Sequence, residues 1–115
     1  MTGYDVIKRA MSLLGYSSAE GDPAESELTA LKGLEIIRQL LMDLRCGGIS
    51  SLSDNLDISG AQEDALCYGT AMLLALTEGD TNKNRLFAEI YNAKRGTALA
   101  EMSSVKDCLP KVTVG

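Results

Sequence analysis

Cys46, Cys67 and Cys108, the acidic stretches Asp54-Asn55-Leu56-Asp57 and Glu63-Asp64, and the basic pair Lys94-Arg95 are the residues whose types and spacing raise the question of chemistry. Thiols serve as nucleophiles or soft metal ligands, clustered acids as calcium ligands or acid–base couples. A basic pair grips phosphates or acidic surfaces. Histidine is absent from the sequence, which removes the commonest general base and a major metal ligand together. Ser-His-Asp and Cys-His arrangements are therefore impossible. The cysteines are far apart and form no CxxC pair. Cys67 falls in an apolar helical stretch, where a free cysteine behaves as a small hydrophobe. A calcium loop counted from Asp54 fails on spacing: Leu56 stands at the third place, Ser59 where glycine is needed, and Ala65 where the closing glutamate is needed. Asp54 or Asp57 is better read as turning its loop. Glu63 and Asp64 sit where a helix begins and complement its dipole. A Ser/Lys pair has no glycine-rich elbow beside it, and neither GxxxxGK[ST] nor GxGxxG occurs. No catalytic residue, cofactor or metal is expected, and the chain reads as non-enzymatic.

Lys94 and Arg95 have two readings. One is a solvated helix face with snorkelling stems; the other is a contact with an acidic partner or with passing DNA phosphates. The charge balance bears on the second. With 11 basic and 16 acidic residues the formal charge is −5, whereas a dedicated nucleic-acid binder usually carries a basic surface. Between Arg45 and Lys83 there is no Lys or Arg, yet Asp54, Asp57, Glu63, Asp64, Glu78 and Asp80 all lie there. That stretch is either a solvated acidic face or a charge-complementary surface for a neighbouring chain.

Helices must position these groups. Thr2 offers an N-cap hydroxyl to the backbone of Asp5, and a helix then runs through Val6, Ile7, Ala10, Met11, Leu13 and Leu14 to stop at Gly15. After a polar loop, Asp22-Pro23-Ala24-Glu25 reads as N-cap, N1 proline and acidic N3 of a second helix extending to about Cys46, before Gly47-Gly48. On a wheel, Ala30, Leu34, Ile37, Leu40, Leu41 and Leu44 share one apolar arc, with Gly33 inside it inviting a close helix approach. Leu28, Leu31 and Met42 make a second patch, and Ile36 points away from both. Such surplus apolar directions hint at a partner.

Ile49 to Ser59 alternates weakly and fits an irregular loop or a short strand pair. Ser59 and Gln62 then form a capping box for a third helix, Ala61 to Glu78, apolar on every side through Ala71-Met72-Leu73-Leu74-Ala75-Leu76. A helix of that kind is central. Glu78-Gly79-Asp80-Thr81 is a tight break. The fourth helix, about Asn82 to Met102, places Leu86, Phe87, Ile90, Tyr91 and Ala98 on one side and the Arg85/Glu89 pair opposite. The fold class is thus all-α: a compact bundle of four helices over residues 1–103, with residues 104–115 as an extended tail or arm containing Val112. Leu28, Leu31, Ile36, Asp54, Asp57, Lys94, Arg95 and Val112 are the candidate contacts to other subunits or partners.

One domain suits this length, and with one Phe, four Tyr and no Trp the core is aliphatic. No apolar run reaches the ~20 residues needed to cross a bilayer. The opening residues lack a signal-peptide layout, and the odd cysteine count fits reduced thiols in a cytosol.

The stretch Ala65-Leu66-Cys67-Tyr68-Gly69-Thr70-Ala71-Met72-Leu73-Leu74-Ala75, the break Glu78-Gly79-Asp80, and Tyr91-Asn92-Ala93-Lys94-Arg95 resemble the second half of small helical head-to-tail connector or adaptor proteins of tailed bacteriophages and prophages. There an Ala/Leu-rich helix with a Tyr-Gly step precedes a Gly-Asp break and a Tyr-Asn-x-x-Arg-type helix. The opening of the chain is similar in layout only, so about half the sequence carries the likeness, through packing patterns rather than catalytic signatures. The resemblance implies a ring of about a dozen subunits beneath the capsid portal through which DNA passes, without enzymatic activity or cofactor. The implied partners are identical copies, the portal, and tail or head-completion proteins, with at most non-specific DNA passage and no membrane. The implied location is the host cytoplasm during assembly and then the head–tail junction of the virion. A different non-enzymatic reading is a helical protein-interaction adaptor or small regulator from a mobile element.

Overall fold

The computed structural model describes residues 1–15 and 27–108, with side chains for 1–15 and 32–101. Its helices are α1 (Gly3–Leu13), α2 (Glu27–Asp43), α3 (Gly60–Thr77) and α4 (Thr81–Cys108). The all-α bundle is as expected, and α3 packs against each of the other three. That place follows from its sequence: Ala65, Leu66, Cys67, Ala71, Leu74 and Ala75 are all buried, which needs neighbours around most of its circumference. Thr70, the buried polar residue of the core, donates its hydroxyl to the Leu66 carbonyl at 2.7 Å and so leaves nothing unsatisfied.

The caps are those the sequence offers. The Thr2 hydroxyl accepts from the Asp5 N–H while the Asp5 carboxylate accepts from the Thr2 N–H at 2.9 Å. The Thr2 N–H first, and with it the Thr2 hydroxyl, which also donates to the carboxylate, hold the Asp5 carboxyl below its ordinary pKa. Ser59 and Gln62 form the same box at α3. The end of α2 differs from expectation. The helix stops at Asp43, and Arg45, not a glycine, takes the left-handed position at φ 59°. Cys46 N–H donates to the Leu41 carbonyl at 2.8 Å and Arg45 N–H to Met42 at 3.1 Å, the paired bonds of a Schellman ending. Asp22, Pro23 and Glu25, expected to start that helix, lie outside the described residues.

Two glycines admit close neighbours. A Cβ at Gly33 would overlap Ile7 Cδ1, so α1 reaches α2 through that gap. A Cβ at Gly69 would stand 2.8 Å from the Tyr91 ring and 3.0 Å from Leu40 Cδ2, so α4 and α2 meet over α3 at this point. Between α2 and α3 the chain is a loop without a strand pair. An isolated antiparallel bridge joins Asn55 to Thr2, Leu56 N–H donates to the Met1 carbonyl, and Tyr4 N–H donates to Leu52. The weak alternation of this segment is thus spent on pairing with the start of the chain.

Helix α4 continues to Cys108, so residues 104–108 are helical rather than extended. No proline or glycine follows Gly96 before Pro110, which restricts the residue ahead of it and not the turns before. Residues 109–115, Val112 among them, lie outside the described part. Leu86, expected on the core side of α4, is 53% exposed. It lies about 140° around the helix from Tyr91, which faces α3, so it turns outward.

Candidate functional site

Two seams between helices carry ion pairs. In the first, Asp64 in the opening turns of α3 accepts from Arg9 of α1 at 3.0 Å and from Lys94 of α4 at 2.6 Å. Glu63 stands 3.9 Å from the same guanidinium, and the Lys94 ammonium lies 5.0 Å above the Tyr68 ring. Tyr68 also meets Phe87 at 5.9 Å between ring centroids. The bond to Asp64 holds the Lys94 ammonium above its ordinary pKa.

In the second seam, Asp43 at the end of α2 accepts from the Tyr91 hydroxyl at 2.5 Å and from Arg95 Nε at 2.8 Å. Burial, and after it the hydrogen bond to Asp43, raises the Tyr91 phenol. Lys83 and Asn84 of α4 add bonds to backbone carbonyls, Lys83 Nζ to Leu14 at 2.9 Å and Asn84 to Met72 at 2.9 Å. The first gives the C-terminus of α1 the cation that its own last turn lacks.

These groups pin helices together; what reaction they serve is a separate matter. Burial pushes the Cys67 thiol up to about 11 and raises Cys46 as well, so both thiols are protonated at neutral pH and poor nucleophiles. Among the described residues no group of three or more Cys, Asp or Glu is placed to hold a metal ion. No helix of the described part is long and apolar enough to cross a membrane. What remains as a candidate is surface. Met42 is 78% exposed, Leu76 58% and Leu86 53%, while Tyr4 is about as exposed as a surface tyrosine commonly is.

No family model, curated protein or solved structure matches this chain.

The candidate contact residues fall into different places. Lys94 and Arg95 each hold an intramolecular carboxylate, so their charges are matched within the chain, and any partner would have to use their remaining donors. Asp54 turns its loop, accepting from the Ser50 and Ser51 N–H groups at 2.9 and 3.1 Å, while Asp57 is exposed. Ile36 does not point away from the core. It is half-buried against both groups of core residues, because α2 packs on both α1 and α3 and its inner face is wider than one arc. Side chains of Leu28 and Leu31 lie outside the described residues, as does Val112. Sequence reasoning passes over Arg9 and Asp43, and it gives Asp64 only the role of complementing a helix dipole. Each of these residues lies on a different helix from its mate, and wheel positions within one helix carry no signal for that.

Proposed function

We propose that this chain is a structural subunit of the head-to-tail connector of a tailed bacteriophage or prophage, forming a ring between portal and tail through which DNA passes. The observation that carries the reading is that the residues behind the resemblance form one interlocked unit instead of a scatter. Gly69 lies under the Tyr91 ring, and Tyr68 meets Phe87 and Lys94. Gly79 and Asp80 make the reversal between α3 and α4, and Tyr91 and Arg95 share Asp43. Met42, Leu76 and Leu86 are exposed, and a neighbouring copy that covered them would gain from their burial. The net charge of −5 suits a channel that lets a polyanion slide and not stick.

The subunit is made in the host cytoplasm and ends in the virion. Finding a portal gene beside its own, and co-expressing the two proteins, tests this. Co-sedimentation of the two, with rings seen on the portal by electron microscopy, is the expected result. A chain that ignores portal and tail proteins but recovers a host regulatory protein in a pull-down would instead be an adaptor or regulator from a mobile element.

A further inference from the structure

A ring built from one kind of subunit needs two different surfaces that fit each other, since each copy gives one to its left and one to its right. Two exposed patches of opposite character are present. On α2, Met42 is the most exposed large apolar residue described; Arg38 stands one turn earlier on the same side of the helix with exposed Glu35 a turn before it, and exposed Arg45 lies just past the helix end at Asp43. Both arginines are exposed and neither pairs with a described residue. Arg45 moreover occupies the left-handed backbone position at φ 59°, where glycine is the unstrained choice, although Gly47 and Gly48 follow two and three residues later.

The second patch is the end of α3. Leu76 is 58% exposed in its last turn, Glu78 is its exposed C-cap, and no basic residue stands in that turn. The negative end of the helix dipole and the Glu78 carboxylate add there.

We infer that copies of this chain join head to tail, the C-terminal end of α2, with Met42, Arg38 and the Arg45 that follows it, seating on the next copy's α3 end with Leu76 and Glu78. An apolar contact on each side excludes water, and the flanking charges fix which face meets which. The inference takes its setting, though not its residues, from the ring reading above.

The test uses two variants of the full chain, one with Arg38→Glu and Arg45→Glu, the other with Glu78→Lys. Circular dichroism checks that each is folded, and sedimentation velocity reads association alone and with the portal protein. Wild type is expected to associate, and each variant alone to associate at least tenfold more weakly. Mixed one to one, the variants are expected to recover near wild-type association, because each reversed face then meets a reversed partner. Arg45→Gly is expected to raise the melting temperature while weakening association. Should wild type assemble and the charge reversals leave assembly unchanged, the interface assigned here is wrong and the ring stands. If wild type stays monomeric alone and with the portal protein, both fall.

Discussion

At Gly69 two effects oppose each other, and their sizes decide the outcome. Alanine in a helix interior is favoured over glycine by about 1 kcal/mol. Its methyl would stand 2.8–2.9 Å from two ring carbons of Tyr91, and that ring is held at its far end by the hydroxyl bond to Asp43. Overpacking a held core position costs about 1–3 kcal/mol. Gly69→Ala is therefore expected to destabilise the fold by up to about 2 kcal/mol, taking the overpacking cost less the propensity gain. At Gly96 nothing lies within 4 Å of the place an alanine methyl would take, so only propensity acts there. Gly96→Ala is expected to stabilise by roughly 0.5–1 kcal/mol. Urea denaturation of both variants checks the pair, and equal signs would show that Tyr91 has room to move. The weakening of α3 by Gly69 is legible in the sequence, since glycine in a helix interior carries a known cost. The identity of the neighbour is not.

Cys67 carries a pH dependence with a definite sign. Its folded pKa is about 11 against an ordinary 9.0, because burial disfavours the thiolate. Up to about pH 9 folded and unfolded chains both hold the proton. Between about 9 and 11 the unfolded chain loses it first, so stability falls as pH rises through that window, by on the order of 2 kcal/mol. Tyr91, whose pKa is also raised, falls in the same direction at higher pH. The comparison that isolates the thiol is wild type against Cys67→Ala: the variant's denaturation midpoint is expected to drop less between about pH 8.5 and 10.5, a span that brackets the lower part of the titration. Parallel slopes would mean that the thiol is not desolvated as its burial implies.

Among the elements, the α3–α4 reversal shows how short a connection can be when each residue has one task. Gly79 takes φ 77°, letting its N–H donate to Leu76 and the Asp80 N–H to Ala75, which closes α3. Asp80 then caps α4, its Oδ1 accepting from the Lys83 N–H at 3.0 Å. Asp80→Ala is expected to cost about 1 kcal/mol through the lost cap. Gly79→Ala is expected to cost about 1 kcal/mol through backbone strain, since nothing crowds the position itself. Thermal melts of the single and double variants check this, and a double variant no worse than either single one would show that the reversal forms differently. Residue types alone identified this break, because glycine and aspartate each have a strong positional preference. They misplaced the end of α2 for the same reason, since the expected glycines were there and the chain turned on Arg45 before reaching them.

For the whole molecule, the sequence identified which helix is central but not how the others are tied to it. An all-round apolar pattern is a property of one helix, whereas the Asp64 seam exists only once α1, α3 and α4 are in place. Arg9, Asp64 and Lys94 side chains are each a third to nearly half exposed, so water screens their attraction and a direct pair here contributes at most about 1 kcal/mol. Removing the central carboxylate does more than delete two pairs, because it leaves two cations from different helices facing each other across the gap. Asp64→Ala is therefore expected to destabilise by about 1–2 kcal/mol at low ionic strength. The repulsive part should fade in about 1 M salt, where the screening length is about 3 Å. Reverting the imbalance with a second change, Arg9→Ala, should recover part of the loss at low salt and little at high salt. If Asp64→Ala lost the same stability at every salt concentration, the seam would matter through packing alone, and the three helices would be held by their apolar faces without electrostatic help.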